Sequence, residues 1–285
     1  MRKQLLGWML MALCAQAGAA VCPAKAELAV HKTAQWAKAG PDLLPALAQC
    51  LKERDPQLRD ELGFEGLQAL LRSARMPADA VQELRQRLLA MLQGADADGV
   101  ARPFAALALA EVARVDRKQA FLSQEQRRQL AQAAADWIKS IQDYRAWDAQ
   151  DGWRHAVAHG ADWVMQLALN PALEEAQAAA LLQALSVQMG QNRHAYTHGE
   201  GERIAQALFY LALREPWDEA RWRAWAAQAL ASLPPAGSVS AAQLTQKHNL
   251  GAVWLPLYFM LQQSRQSALR QRLSPIVEEA LKKLQ

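Results

Sequence analysis

Apolar positions recur along this chain at three- and four-residue spacing almost throughout, and no segment alternates with period two over a useful length. That pattern predicts helix after helix and no sheet. Gly40-Pro41 ends a first helix near 27–38, and 42–53 forms a second. Asp55-Pro56 opens a third through Leu58, Leu62, Leu67, Leu70 and Leu71, and Met76-Pro77 starts a fourth that stops at Gly94. Phe104 to Val115 is apolar nearly all round, which marks a central helix. Ser123 with Gln126 reads as a capping box for a helix reaching about Tyr144. Further helices follow at about 152–169, 172–188, 200–214 and 217–232, the last closed by the linker-like Pro234-Pro235. The final pair, near 240–262 and 266–284, contains Pro256 and Pro275 and is expected to be kinked or divided.

About a dozen helices joined by short turns predict an all-α fold of stacked antiparallel helix pairs, an irregular HEAT-like or α/α superhelical array. A compact orthogonal bundle is the alternative, because no crisp repeat of the standard array lengths is present.

Residues 1–20 follow a different logic. Arg2 and Lys3 precede an apolar run from Leu5 to Leu13, and small residues follow at Ala15, Ala17, Gly18, Ala19 and Ala20. This is the pattern of a cleavable signal peptide, leaving one all-helical domain over 21–285 that is periplasmic or secreted, with no stable membrane insertion. Losing Arg2 and Lys3 takes the basic residues from 32 to 30 against 28 acids, a net charge of +2. Scattered charge of that size is no nucleic-acid footprint. Cys14 leaves with the leader, and Cys22 and Cys50 either form a disulfide in an oxidising compartment or stay as two thiols.

The chemistry concentrates in Asp151-Gly-Trp-Arg-His-Ala-Val-Ala-His-Gly-Ala-Asp162. On one helix His155, His159 and Asp162 would share a face, a spacing able to chelate a divalent transition metal such as zinc, with a further ligand from His194, His198 or Glu200. The same groups equally fit a buried hydrogen-bonded network that sets helix register, with Asp162 orienting His159. Glu200 and Arg203 open a later helix, where they read as a cap with a local ion pair, or as a general base and an anion clamp. Arg145, Trp147, Asp148 and Trp153 lie in a polar, aromatic stretch that could wall a ligand cleft. The other tryptophans, among them Trp163, Trp217, Trp222 and Trp225, are expected to fill core.

Two blocks, Arg102-Pro-Phe-Ala-Ala-Leu-Ala-Leu-Ala-Glu111 and Gly152-Trp-Arg-His-Ala-Val-Ala-His-Gly-Ala-Asp162, with Tyr144-Arg145 and His198-Gly-Glu-Gly-Glu-Arg203, resemble bacterial domain-of-unknown-function family 2785 over about residues 50–260. Gly201 departs from an acidic residue of the third block. The resemblance implies an all-helical fold and no assigned activity.

No Gly-x-Ser-x-Gly elbow, phosphate loop, dinucleotide glycine motif or zinc-ribbon spacing is present. Two functions remain: a ligand- or protein-binding scaffold with a polar His/Asp/Glu/Trp cleft, or a metal-dependent or acid–base hydrolase built on His155, His159, Asp162, His198 and Glu200.

Overall fold

The computed structural model describes residues 21–33, 36–214, 217–231, 233 and 239–285. The leader pattern of residues 1–20 and the Pro234-Pro235 linker lie outside the described residues. The chain is all-α: twelve described helices pack as an array, with a single two-stranded hairpin.

The N-terminal third holds α1 (Lys25–Thr33), α2 (Leu44–Cys50), α3 (Glu65–Arg72) and α4 (Ala78–Gln93). A disulfide joins Cys22, just before α1, to Cys50 at the end of α2, with Cα atoms 4.7 Å apart. The helix expected from Asp55-Pro56 divides into a π-helical segment, Gln57–Phe64, and α3.

The apolar helix becomes α5 (Ala101–Lys118), and it is central as its pattern requires. It packs on α7 (Ala156–Ala168), α7 on α9 (Glu200–Arg214), and α9 on α11 (Ala241–Gln263). A second row is formed by α6 (Gln124–Ser140), α8 (Glu175–Met189), α10 (Glu219–Leu230) and α12 (Ser267–Lys282), α6 lying mainly on α8 and α10 on α12. Helices alternate between the rows, so each sequential pair turns back on itself and like helices become neighbours two elements later. This is the array of antiparallel pairs that the helix count predicts.

Alignment within the first row is visible at both helix ends. Phe104 meets His159 near the starts of α5 and α7, and Arg117 Nη2 donates to Gln166 Oε1 at 3.1 Å near their ends. Asp162 meets Arg203 near the starts of α7 and α9, and Arg214 reaches the carbonyl of Ala168 at their ends. These three helices therefore point the same way.

Local sequence explains most boundaries. The capping box of Ser123 and Gln126 starts α6. Trp217, Trp222, Trp225 and Trp254 meet in succession, the first pair tilted and the next two edge-on, with centroids 4.9, 5.7 and 5.5 Å apart, and fill the core between α10 and α11. Pro256 and Pro275 lie inside α11 and α12, which run through them undivided. No described helix is long and apolar enough to cross a membrane.

Two expectations fail between α6 and α7. The chain leaves the helix at Ile141 instead of continuing to Tyr144, and α7 begins at Ala156 instead of Gly152. Between them Trp147–Asp148 (β1) pairs antiparallel with Gly152–Trp153 (β2), where no sheet is expected. Asp148 accepts the N–H groups of Gln150 and Asp151, at 2.9 and 2.7 Å, and Gly152 takes a left-handed conformation at φ +67°. This aspartate-led turn closes the hairpin. Strands of two residues leave no alternation to read.

Candidate functional site

The hairpin is braced by arginines from three directions. Arg59, fully buried in the π-helical segment, donates to the carbonyls of Asp151, Glu53 and Arg54 at 2.7, 3.2 and 3.1 Å. Arg54 grips both carboxylate oxygens of Asp151 at 3.0 Å. Arg154 bonds Asp151 at 2.6 Å, also contacts Asp148, and reaches the Asp98 carbonyl at 3.0 Å. Backbone donors from its own turn, then Arg154, hold the Asp148 carboxyl below its usual range. Burial opposes ionisation of Asp151, but Arg54 and Arg154 outweigh it and lower that carboxyl too. Among the residues expected to wall a cleft, Arg145 and Asp148 thus serve the loop. Arg145 pairs with Asp143, its Nε donating at 2.9 Å.

The brace sets the entry to α7. His155 is the N-cap, not a helical residue, and it adopts the left-handed region at φ 52°, ψ 38°. This overturns the premise that His155, His159 and Asp162 share one helical face. Its Nε2 lies 3.0 Å from the His198 carbonyl, so Nε2 carries the hydrogen and Nδ1 is left as an acceptor. The ring stacks on Trp153, centroids 4.6 Å apart and 22° between planes, and its edge-on partner is His159 at 5.7 Å.

His159 is buried in α7, and its Nδ1 lies 3.2 Å from the carbonyl of Pro103. A carbonyl only accepts, so Nδ1 donates and Nε2 is an unprotonated acceptor. Burial, reinforced by the neighbouring His155, pushes this imidazole down to about 3. Burial also lowers His155, with Glu200 partly opposing. Both rings are neutral near pH 7.

Asp162 lies one turn further along α7. Arg203 Nη1 bonds both of its oxygens, at 2.8 and 2.6 Å. Burial nevertheless raises this carboxyl above its ordinary value, the guanidinium opposing only in part. Opposite stands Glu111 of α5, which receives Arg72 through Nε at 3.0 Å and through Nη2, and Gln68 at 3.1 Å.

Together these groups line an open cleft of about 320 Å³, whose walls include Phe64, Arg72, Glu111, His155, His159, Asp162 and Arg203. The size falls at the lower end of small-molecule sites. The structure thus unites His155, His159, Asp162 and Arg203. The other expected residues do not line the cleft, Arg145, Trp147, Asp148 and Trp153 among them. Glu200 is buried and accepts the His198 N–H at 2.8 Å, closing the start of α9. His198 lies outside with its ring 6.2 Å from Trp153, and His194 stacks on Tyr144 instead, at 6.3 Å. Among the described residues, no three of His, Cys, Asp and Glu are grouped to hold a metal ion.

The cleft also contains residues that sequence reasoning overlooked, Arg72 and Glu111 foremost. Glu111 carried a readable signal, a lone acid within the apolar stretch Phe104 to Val115. A charge in such a helix needs a partner. Arg72 carried none.

The pattern defining the family described as protein of unknown function (DUF2785) matches residues 88–259. The chain belongs to that family. In this DUF2785 protein the matched span takes in α5, the hairpin, α7 and α9, and so most of the cleft. A crystal structure titled as an engineered protein, a Northeast Structural Genomics Consortium target, is 16% identical, with 85% of this chain and 97% of that chain covered and a TM-score of 0.40. A likeness so slight says nothing about activity. No curated protein matches the sequence.

Proposed function

We propose that this protein is a binding module that takes a small or oligomeric ligand into the cleft between α3, α5, α7 and α9. One observation carries the reading: His159, buried and neutral, has Nδ1 fixed by Pro103 and its Nε2 acceptor left for the cleft. A buried acceptor on a residue that lines an open cleft gains from a donor on a ligand. The left-handed His155 at the same mouth supports the reading, because a non-glycine residue held there costs about 1 kcal/mol or more and such strain clusters at ligand sites.

The leader pattern and the Cys22–Cys50 disulfide support an exported, oxidising location for the mature chain.

A thermal-shift screen of small molecules tests the binding reading. Ligand at about 100 times its dissociation constant adds roughly 2.7 kcal/mol to stability. The expected result is one or more hits whose shift disappears in both His155→Ala and Glu111→Gln. Hits that survive both substitutions, or no hit at all, would overturn the proposal.

A second reading, an acid–base hydrolase, draws support from Asp162, a carboxyl that burial raises above its ordinary value in a cleft that His155 also lines. It would use Asp162 as acid and His155 as base, leaving Glu200 in its capping role. Turnover of a screened ligand, lost in Asp162→Asn with binding intact, would select this reading over simple binding.

A further inference from the structure

The other described tryptophans of this protein are buried, with Trp163, Trp222 and Trp254 among the most deeply enclosed side chains. Trp147 and Trp153 are different, at 52% and 38% exposed. They face each other across the β1–β2 ladder, so both indoles stand on the same side of the hairpin. Neither sits on a loose loop. Arg54, Arg59 and Arg154 brace the hairpin, and His155 stacked on Trp153 fixes the plane of that indole. A rigid, exposed aromatic pair is costly to leave in water and is a recurrent anchor for ligands. Here it stands next to the cleft, because the His155 ring that carries Trp153 is also part of the cleft wall.

Charge balance narrows what the cleft accepts. Arg72 is matched by Glu111 and Arg203 by Asp162. The two histidines add no charge at neutral pH. A charged ligand would therefore enter without an unmatched counter-charge to meet it, at a desolvation cost nothing repays. What the cleft offers is a ring of planar hydrogen-bonding groups: the guanidinium edge of Arg72 not used by Glu111, the His159 acceptor, and the amides of Gln68 and Gln166. Charge-balanced donors and acceptors beside flat aromatic faces complement a molecule with apolar C–H faces and a hydroxylated rim.

We infer that the ligand is a neutral oligosaccharide, one sugar ring stacking on the Trp147–Trp153 face and the next entering the cleft between Glu111 and Asp162. This rests on the binding reading above and adds the ligand's chemical class.

The test is titration of the purified full chain with neutral oligomers of β-1,4-glucose, α-1,4-glucose and N-acetylglucosamine, followed by calorimetry and tryptophan fluorescence. At least one series should bind with a dissociation constant of about 1 mM or tighter. Trp153→Ala should weaken it about tenfold or more, Trp147→Ala less, and Trp153→Phe should restore most of the loss, with unchanged helical circular dichroism in all three. Absence of binding by every series at ~10 mM, or affinity indifferent to Trp153→Ala, would overturn the inference. A proline-rich peptide, the other ligand that suits an aromatic face, is titrated in parallel. Its binding with all saccharides silent would also overturn the inference, while the binding reading would stand or fall separately on His155→Ala and Glu111→Gln.

Discussion

Gly201 of α9 lies directly against the backbone of Ala252 in α11: a Cβ on Gly201 would fall 2.5 Å from the Ala252 carbonyl oxygen. Four residues after Ala252 stands Pro256, which has no N–H to give that carbonyl. The oxygen left without its helical donor is the one that Gly201 approaches, so the proline inside α11 and the glycine at the start of α9 belong to one contact.

Gly201→Ala should therefore cost about 1–3 kcal/mol, the range for overpacking against atoms that cannot yield. Urea unfolding measures it, with Gly40→Ala as control because nothing lies within 4 Å of a Cβ there. Equal midpoints for the two variants would refute the contact.

Arg203 and Asp162 make a second, asymmetric link between neighbouring helices. The Asp162 side chain is 13% exposed and that of Arg203 48%. Removing the arginine strands a buried carboxylate, whereas an amide at 162 still offers an oxygen to Arg203. With solvent screening of the half-exposed guanidinium, Arg203→Ala should cost roughly 1–2 kcal/mol at pH 7 and Asp162→Asn less. The cost of Arg203→Ala should shrink as pH falls and Asp162 takes up a proton. A larger loss in Asp162→Asn would contradict this.

His159 should make stability fall in acid. Its value drops from 6.5 unfolded to about 3 folded, so between those pH values the unfolded chain binds the extra proton. The contribution is full above about pH 6.5 and declines toward pH 3, by up to ~1.4 kcal/mol per pH unit. Asp162, raised in the fold, works in the opposite sense. His159→Asn keeps a donor for the Pro103 carbonyl but cannot titrate. Unfolding free energies of the two proteins at pH 6.5 and pH 4.5 should show the flatter dependence in the variant, and parallel slopes would rule out a buried neutral imidazole.

The Cys22–Cys50 disulfide closes a span of 28 residues. Loop-closure entropy gives it roughly 3–4 kcal/mol. Reduction, or Cys22→Ser with Cys50→Ser, should lower Tm by ~5–10 °C. Thiol titration of the denatured full-length chain should find one free thiol, Cys14, and a count of three would exclude the bond.

How far the sequence reaches is clearest around α7. His155, His159, Asp162 and Arg203 could be picked out as neighbours in a site, because the first three crowd one short stretch and the fourth opens a helix two elements later. Their roles could not. His155 leaves the helical face because the Asp148 turn and Gly152 make a hairpin too short for any periodicity to reveal. Glu200 turns to its own helix end, and Arg72 enters from a helix whose sequence gives no sign of it.

Helix periodicity, capping residues and turn signals act over a few residues, so the sequence by itself determined an all-α chain, its order of helices and the central place of α5. Which side chains face the cleft was decided only in the tertiary structure. That choice depends on how α3, α5, α7 and α9 are rotated against one another, and the rotation is set by contacts between residues 39 to 56 positions apart: Gln68 and Arg72 with Glu111, Pro103 with His159, Asp162 with Arg203 and Gly201 with Ala252.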